Sequence, residues 1–395
     1  VQMKRLSLLL FAAALVVPRM AQAQGLTMQM GNGWKFTFAG NVNVFWVFTS
    51  TDSLGATPKR TNSSIRTGLL PAFATFAASG KEAGLDLGVH VGFGNQIQNN
   101  NGVHDQFGAQ IDLRQMFLTI GLKGGSQILA GRELGVYQRQ NILNDMTLYG
   151  VGAVGGPQGG GTTLGRIGYG YIYPNFNAQI TFSSAANKQV QWSVGAFQPS
   201  VVGAFNETAI PRIEGELVWR NQTTARSTNK FMVWLGGEWQ SAKNAADVSL
   251  SSTGVTAGVH ADFSDLSVVV SAYTGKGIGH ALGLGANAVS GGATPEGRPS
   301  DGGYAQVTYK VGAKTTVGAS YGVSRLKGAD DGAGGDVTDA HLAELQMFTG
   351  GVYYQWTRSL KVVGEVSRER NDLGGIGLFA GPNRTDVSGG FMLFF

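Results

Sequence analysis

Arg212, Glu214 and Glu216 stand two residues apart and alternate with Ile213, Leu217 and Trp219. In an extended strand that spacing puts the charges on one face and the apolar side chains on the other. Arg66, Arg114 and Arg166 occupy the polar phase of comparable segments, and Glu133, Arg139 and Asp145 lie between them in the chain. Arg132 stands where a strand meets a long loop, so its phase is open. Charges arranged in this way suit the lining of a wet passage. A basic arc facing Asp145 or Glu133 would set a transverse field across a low-dielectric constriction, ordering polar solutes and biasing ions. The plainer alternative is that each Arg pairs with an acid and holds the chain in shape.

Catalytic chemistry has little support. The five histidines, His90, His104, His260, His280 and His341, show no metal-ligand spacing and no neighbouring Ser motif. Cysteine is absent, which excludes thiolate nucleophiles, Cys-based metal sites and disulfides. The acidic stretch around Asp330, Asp331, Asp336 and Asp339 lacks the spacing of a dedicated Ca²⁺ loop. No enzyme, no metal and no other cofactor is expected.

The elements that must position these charges are strands. Leu85, Leu87, Val89, Val91 and Phe93 alternate with Asp86, Gly88, His90, Gly92 and Gly94. One face is oily and the other polar or tiny, as in a wall with lipid outside and water inside. The same period runs through Trp34–Trp46, Val255–Phe263, Val317–Val323 and Val387–Phe395. On the inward phase, Trp234 shares its face with Glu238 and is expected to fill space against a loop. The 61 Gly against 10 Pro suit tight turns and close strands rather than helices.

Short connections, such as Lys123-Gly124-Gly125 and Ser264-Asp265, alternate with long ones, such as 51–64, 96–108, 134–164, 240–253 and 276–302. Arg166–Ser184 reads as one long strand with a bulge at Pro174, giving about sixteen strands. The expectation is an all-β, transmembrane antiparallel barrel.

The two ends fit export to such a membrane. Lys4-Arg5, the apolar run Leu6–Val17 and Ala21-Gln22-Ala23 have the order of a secretory signal peptide, cut near Ala23. The expected division is 1–23 signal peptide and 24–395 barrel. Beyond the leader no apolar run approaches the ~20 residues of a membrane helix. Removing Lys4, Arg5 and Arg19 from 30 basic residues leaves 27 against 25 acidic, or +2. That balance gives no reason to expect a nucleic-acid partner.

Arg114-Gln115-Met116-Phe117, the Gly124-Gly125 turn, the strand ending in Gly131-Arg132, a long loop and the Tyr169, Tyr171, Tyr173 run follow in that order. This succession resembles the trimeric, sixteen-stranded general diffusion porins of Gram-negative outer membranes. The resemblance implies passive diffusion of small hydrophilic solutes and ions, a homotrimer, and surrounding outer-membrane lipid and lipopolysaccharide. It implies that the third loop, Leu134–Leu164, folds into the lumen and narrows it. Phe391, Leu393 and Phe395 resemble the signal read by the barrel-assembly machinery. The loop departs from the family's acidic pattern, with Asp145 and the preceding Glu133 its acids. Three rivals stay open: a substrate-selective channel on the same scaffold, an outer-membrane barrel enzyme such as a lipase, and an adhesin or structural barrel with a plugged lumen.

Overall fold

An alternating chain buries its polar face only by closing on itself, and here it does. The computed structural model describes residues 25–31, 33–98, 111–155, 161–221, 229–291, 295–329, 340–372 and 381–395. The expected signal peptide, His104 and the acidic loop Asp330–Asp339 lie outside the described residues.

The strands are β1 (Leu26–Gln29), β2 (Lys35–Thr51), β3 (Arg60–Arg66), β4 (Ala72–Glu82), β5 (Leu85–Asn95), β6 (Leu113–Gly121), β7 (Gln127–Leu134), β8 (Phe176–Ser183) and β9 (Val190–Phe197). They continue as β10 (Arg212–Arg220), β11 (Lys230–Lys243), β12 (Ser249–Phe263), β13 (Leu266–Lys276), β14 (Pro299–Val311), β15 (Thr315–Lys327), β16 (His341–Gln355), β17 (Leu360–Asp372) and β18 (Arg384–Phe394). Every pair of neighbours is antiparallel, and β18 pairs with β2 to close the ring. Among the described residues the eighteen segments fill sixteen positions, because two positions are each shared by two segments.

The first shared position lies on one edge of β2, where Phe394 pairs with Asn41 and β1 takes over with Leu26 opposite Phe38. On the other edge, β3 pairs with Phe45–Thr51 and β4 with Lys35–Gly40. Between them, residues 67–71 leave the ladder at a proline, which has no N–H to give. Two asparagines of β2 mend the gap. Asn41 donates to the Pro71 carbonyl at 3.1 Å, and Asn43 donates to the Leu70 carbonyl at 2.8 Å and accepts from the Gly68 N–H at 2.9 Å.

Outside, Val42, Trp46, Ile180, Leu235, Val255, Phe348 and Phe391 are exposed, forming an apolar outer surface of the kind a membrane barrel turns to lipid. No described helix is long and apolar enough to cross a membrane.

Two expectations about connections need correction. Arg166–Ser184 is not one strand with a bulge at Pro174. Strand β8 begins at Phe176, and the chain before it belongs to the third loop, which therefore runs over residues 135–175. Gly168 and Gly170 have φ of 79° and 144°, conformations that break any extended run of tyrosines. The strand count is untouched, since β8 holds the same place in the ring. The fifth loop is also short, 244–248, because β11 and β12 stay paired out to Lys243 and Ser249.

Candidate channel and constriction loop

The third loop lies inside the barrel. Its local structure is self-made: a helix α1 (Arg139–Leu143) is followed by a 3-10 turn (Met146–Tyr149). Asp145 caps that turn, accepting from the Thr147 N–H at 2.9 Å and the Thr147 hydroxyl at 2.7 Å. It also accepts from the Arg166 N–H at 3.2 Å and from the Tyr171 hydroxyl at 2.9 Å. Burial first, then this carboxylate, hold the Tyr171 phenol well above its ordinary pKa, so it stays a donor. Asp145 is thus a staple within the loop, 3% exposed.

The wall grips the loop through inward-facing acceptors. Glu214 takes the Tyr137 N–H at 3.0 Å, and Gln306 Oε1 takes the Met146 N–H at 2.6 Å. Glu365 takes the Val151 and Gly152 N–H groups at 2.7 and 2.9 Å, together with the Tyr353 hydroxyl at 2.6 Å. Glu369 takes the Val154 N–H at 3.3 Å and the Tyr169 hydroxyl at 2.5 Å. At the strand break, the Leu69 N–H donates to the Gly150 carbonyl at 3.0 Å and the Thr163 N–H to the Gly68 carbonyl at 3.2 Å. A loop in water would leave its N–H groups to solvent; here side chains from several strands satisfy them.

Apolar packing completes the dock. Ile142, Met146, Leu148, Tyr149, Val151, Val154, Ile167 and Tyr171 of the loop form one buried cluster with Phe45, Val218, Trp234, Val269, Tyr304, Tyr353 and Val363 of the wall. Trp234 fills space against the loop, and its indole N–H donates to Asn141 Oδ1 at 2.8 Å.

The expected site residues fall into three groups. Arg66, Arg166 and Arg212 face inward but are buried at 2%, 0% and 4% exposure. Arg66 donates to the Gly161 carbonyl at 3.0 Å. Arg166 Nε donates to Ser320 Oγ at 3.1 Å, Nη1 to the Met347 carbonyl at 3.0 Å and Nη2 to the Ser320 carbonyl at 2.9 Å. Arg212 pairs with Glu214 at 2.8 Å, and Arg139 with Glu216 at 2.7 Å. Arg66, Arg166 and the Arg139–Glu216 pair tie the loop to the wall, Arg212 steadies Glu214, and Asp145 braces the loop within itself.

A second group keeps some solvent. A register shift at Gly92/Phe93 of β5 turns both Arg114 and Gln115 inward. Arg114 pairs with Asp112 at 2.8 Å, donates to the Tyr173 hydroxyl at 3.3 Å and lies over the Phe176 ring. Glu133 accepts from Gln115 Nε2 at 2.8 Å and from the Leu134 N–H at 2.7 Å.

The third group is Arg132 alone. It is opposite Met116, an exposed residue on the lipid-side phase, and is itself exposed. Arg132 therefore faces outward, which corrects its placement among the lining residues. The reason is simple alternation, since Glu133 takes the inward place. Phe391, Leu393 and Phe395 sit on the outer face of the closing strand, and Phe395 exchanges backbone hydrogen bonds with Gly40 at 2.9 and 3.0 Å.

Glu365, Glu369 and Gln306 were missed in the sequence. The available signal was the same period of two: Lys361, Val363, Glu365, Ser367 and Glu369 share the inward phase of β17. Among the described residues no three His, Cys, Asp or Glu are grouped to hold a metal.

No protein-family model matches the chain, and no curated protein matches it in sequence. Its structure does have likenesses. The outer membrane channel DcaP of Acinetobacter baumannii superposes with a TM-score of 0.65 at 13% identity, covering 93% of this chain and 99% of that one. The anion-selective porin from Comamonas acidovorans gives 0.63 at 13% identity, covering 92% and 100%. Salmonella typhi OmpF, in complex with daunomycin, gives 0.60 at 13% identity, covering 94% and 100%. At such identity the likeness is one of architecture: the chain has the sixteen-stranded barrel fold of Gram-negative outer-membrane porins.

Proposed function

We propose that the protein is an outer-membrane channel through which small hydrophilic solutes and ions diffuse passively. The observation that carries this reading is a closed barrel, apolar outside and polar within, whose long third loop lies in the lumen rather than above it. A wet lumen lined by fixed charges can pass solutes only down their own gradients. The likeness to porins, one of them titled anion-selective, supports the same class.

Within that class the loop favours a selective channel over a wide diffusion pore. A loop sealed to several strands by a buried apolar cluster leaves less free section than a ring of polar side chains would. We further propose a homotrimer exported by the leader 1–23, surrounded by outer-membrane lipid and lipopolysaccharide, with Phe391, Leu393 and Phe395 presented to the assembly machinery.

The test is reconstitution of the purified protein in planar bilayers. Stepwise ohmic conductance is expected, in steps of three for a trimer. Solute-dependent, saturable block would favour the selective reading. A silent membrane, with correctly folded protein inserted, would sink the proposal.

A further inference from the structure

The third loop does not fill the lumen evenly. Among the described residues, hydrogen bonds from the loop body, 136–166, reach β3, β10–β12, β14–β17 and the break at 67–71, and none reaches β4–β9. The buried cluster that includes the loop takes wall residues from β2, β10, β11, β13, β14, β16, β17 and β18, and no buried member from β4–β9.

Glycines report the same asymmetry. A Cβ at Gly254 would run into Tyr137, at Gly318 into Met146, and at Gly322 into Tyr169 and Arg166. On the opposite side, a Cβ at Gly92, Gly94, Gly131 or Gly195 would meet only atoms of the wall itself. One side of the barrel is pressed against the loop body; on the other the loop's last turn touches the wall at one side chain among the described residues, Tyr173, whose hydroxyl accepts from Arg114 at 3.3 Å.

This second side, otherwise bare, carries a bonded polar set. His90 lies within 3.2 Å of Gln115 Oε1, and Gln115 Nε2 donates to Glu133 at 2.8 Å. The amide is thereby oriented, with its oxygen toward the imidazole and its N–H toward the carboxylate. Glu133 is held by Gln115 and the Leu134 N–H, both neutral donors; among the described residues no cation stands within ion-pair distance of it, although Arg139 acts on it from further off. Its neighbours on that lumen face are cancelled: Asp112 by Arg114 at 2.8 Å and Asp86 by Lys81 at 3.2 Å. Across from it Arg139 is matched by Glu216. Arg220, whose Nη1 donates to Gln191 at 2.6 Å, sits four residues along β10 from Glu216. At ~3.3 Å per residue that is about 13 Å nearer the short-turn mouth.

We propose that solutes cross between the third loop and the wall β4–β9, and that the His90–Gln115–Glu133 set makes this path prefer cations and solutes bearing N–H or O–H donors. The proposal rests on the channel reading above. A fixed carboxylate on a path confined between loop and wall outweighs charges at an open mouth, where water and salt screen them.

The chain has no cysteine, so single introduced thiols report water access cleanly. The test uses Gln115→Cys and Ser193→Cys on the bare side, and Ser271→Cys and Ser367→Cys on the covered side, all inward-facing. In planar bilayers a charged methanethiosulfonate reagent should lower conductance about twofold or more in the first two. The last two should stay unreactive. The reverse pattern, or equal reaction on both sides, would overturn the path. Independently, Glu133→Gln should move the reversal potential in a salt gradient toward anions; an unmoved potential would overturn the charge assignment. If the unaltered protein conducts nothing, the channel reading fails instead, and these tests distinguish the two failures.

Discussion

The two sides of this barrel use the same strand pattern for opposite ends. On β10–β17 the inward polar residues are spent on the third loop: Glu214, Gln306, Glu365 and Glu369 accept its backbone N–H groups, and Arg166 is bonded on all sides by Ser320 and Met347. On β4–β9 His90, Gln115 and Glu133 bond to one another instead, and Arg114 reaches only the end of the loop, at Tyr173. Inward and polar therefore does not mean pore-lining. What decides is whether a second piece of chain has taken the hydrogen bonds.

The comparison breaks most visibly at Arg166. Arg166→Met keeps bulk but leaves two carbonyls and Ser320 without their donor, deep inside. Removing one member of a buried charged network costs on the order of 3–5 kcal/mol. The loop body should undock, and amides of residues 137–155 should exchange with solvent much faster, while β4–β9 keep their protection. Unchanged exchange in the loop would mean that the guanidinium is a passenger.

A change of pH should loosen the covered side from above. His280, in the sixth loop (277–298), is buried, and burial pushes its pKa down to about 4. Its neighbour Ala281 accepts the Tyr173 N–H at 2.8 Å and packs in one cluster with Tyr169 and Met347. Folded, the imidazole is neutral; undocked, it takes a proton below its ordinary value of ~6.5. The undocked form then binds more protons, so stability is whole above pH ~6.5 and falls as pH drops toward 4, by about 3 kcal/mol at most. Exchange of sixth-loop amides at pH 4.5, corrected for intrinsic rates, should exceed that at pH 7, and His280→Gln should abolish the difference. Equal protection at both pH values would remove His280 from the account.

A smaller effect belongs to Glu365→Gln. The carboxylate accepts from two backbone N–H groups and the Tyr353 hydroxyl, and an amide would point a donor at one of them. A mismatch of about 1–3 kcal/mol is expected. The change should appear as faster exchange at Val151 and Gly152, with the reversal potential unmoved. A shifted potential would show that the covered side also faces the ion path.

How much of this was legible beforehand follows from period two. The barrel, its sixteen positions and the inward phase of Arg212, Glu214 and Glu216 are properties of each strand by itself, so local alternation suffices. The break at 67–71 escaped because the mending donors, Asn41 and Asn43, lie on another strand. Tyr169, Tyr171 and Tyr173 imitate a strand, yet Gly168 and Gly170 turn them into loop, and no single-strand rule separates the two. The fate of Arg66, Arg166 and Asp145 depended on where the loop lands, which is a tertiary fact.

Adjacent residues give the finest cut. Arg132 and Glu133 are neighbours in β7, one facing outward opposite Met116 and the other inward beside Gln115. Arg132→Gln should change stability by no more than about 0.5 kcal/mol, as exposed substitutions do, and leave the reversal potential where it was. Glu133→Gln should move that potential. The pair is a check on register as well as on charge, since a slip of one residue exchanges the two faces of a strand. A potential that answers to Arg132 and ignores Glu133 would mean that β7 is turned over. The bare wall, and the path along it, would then have to be redrawn from the other phase.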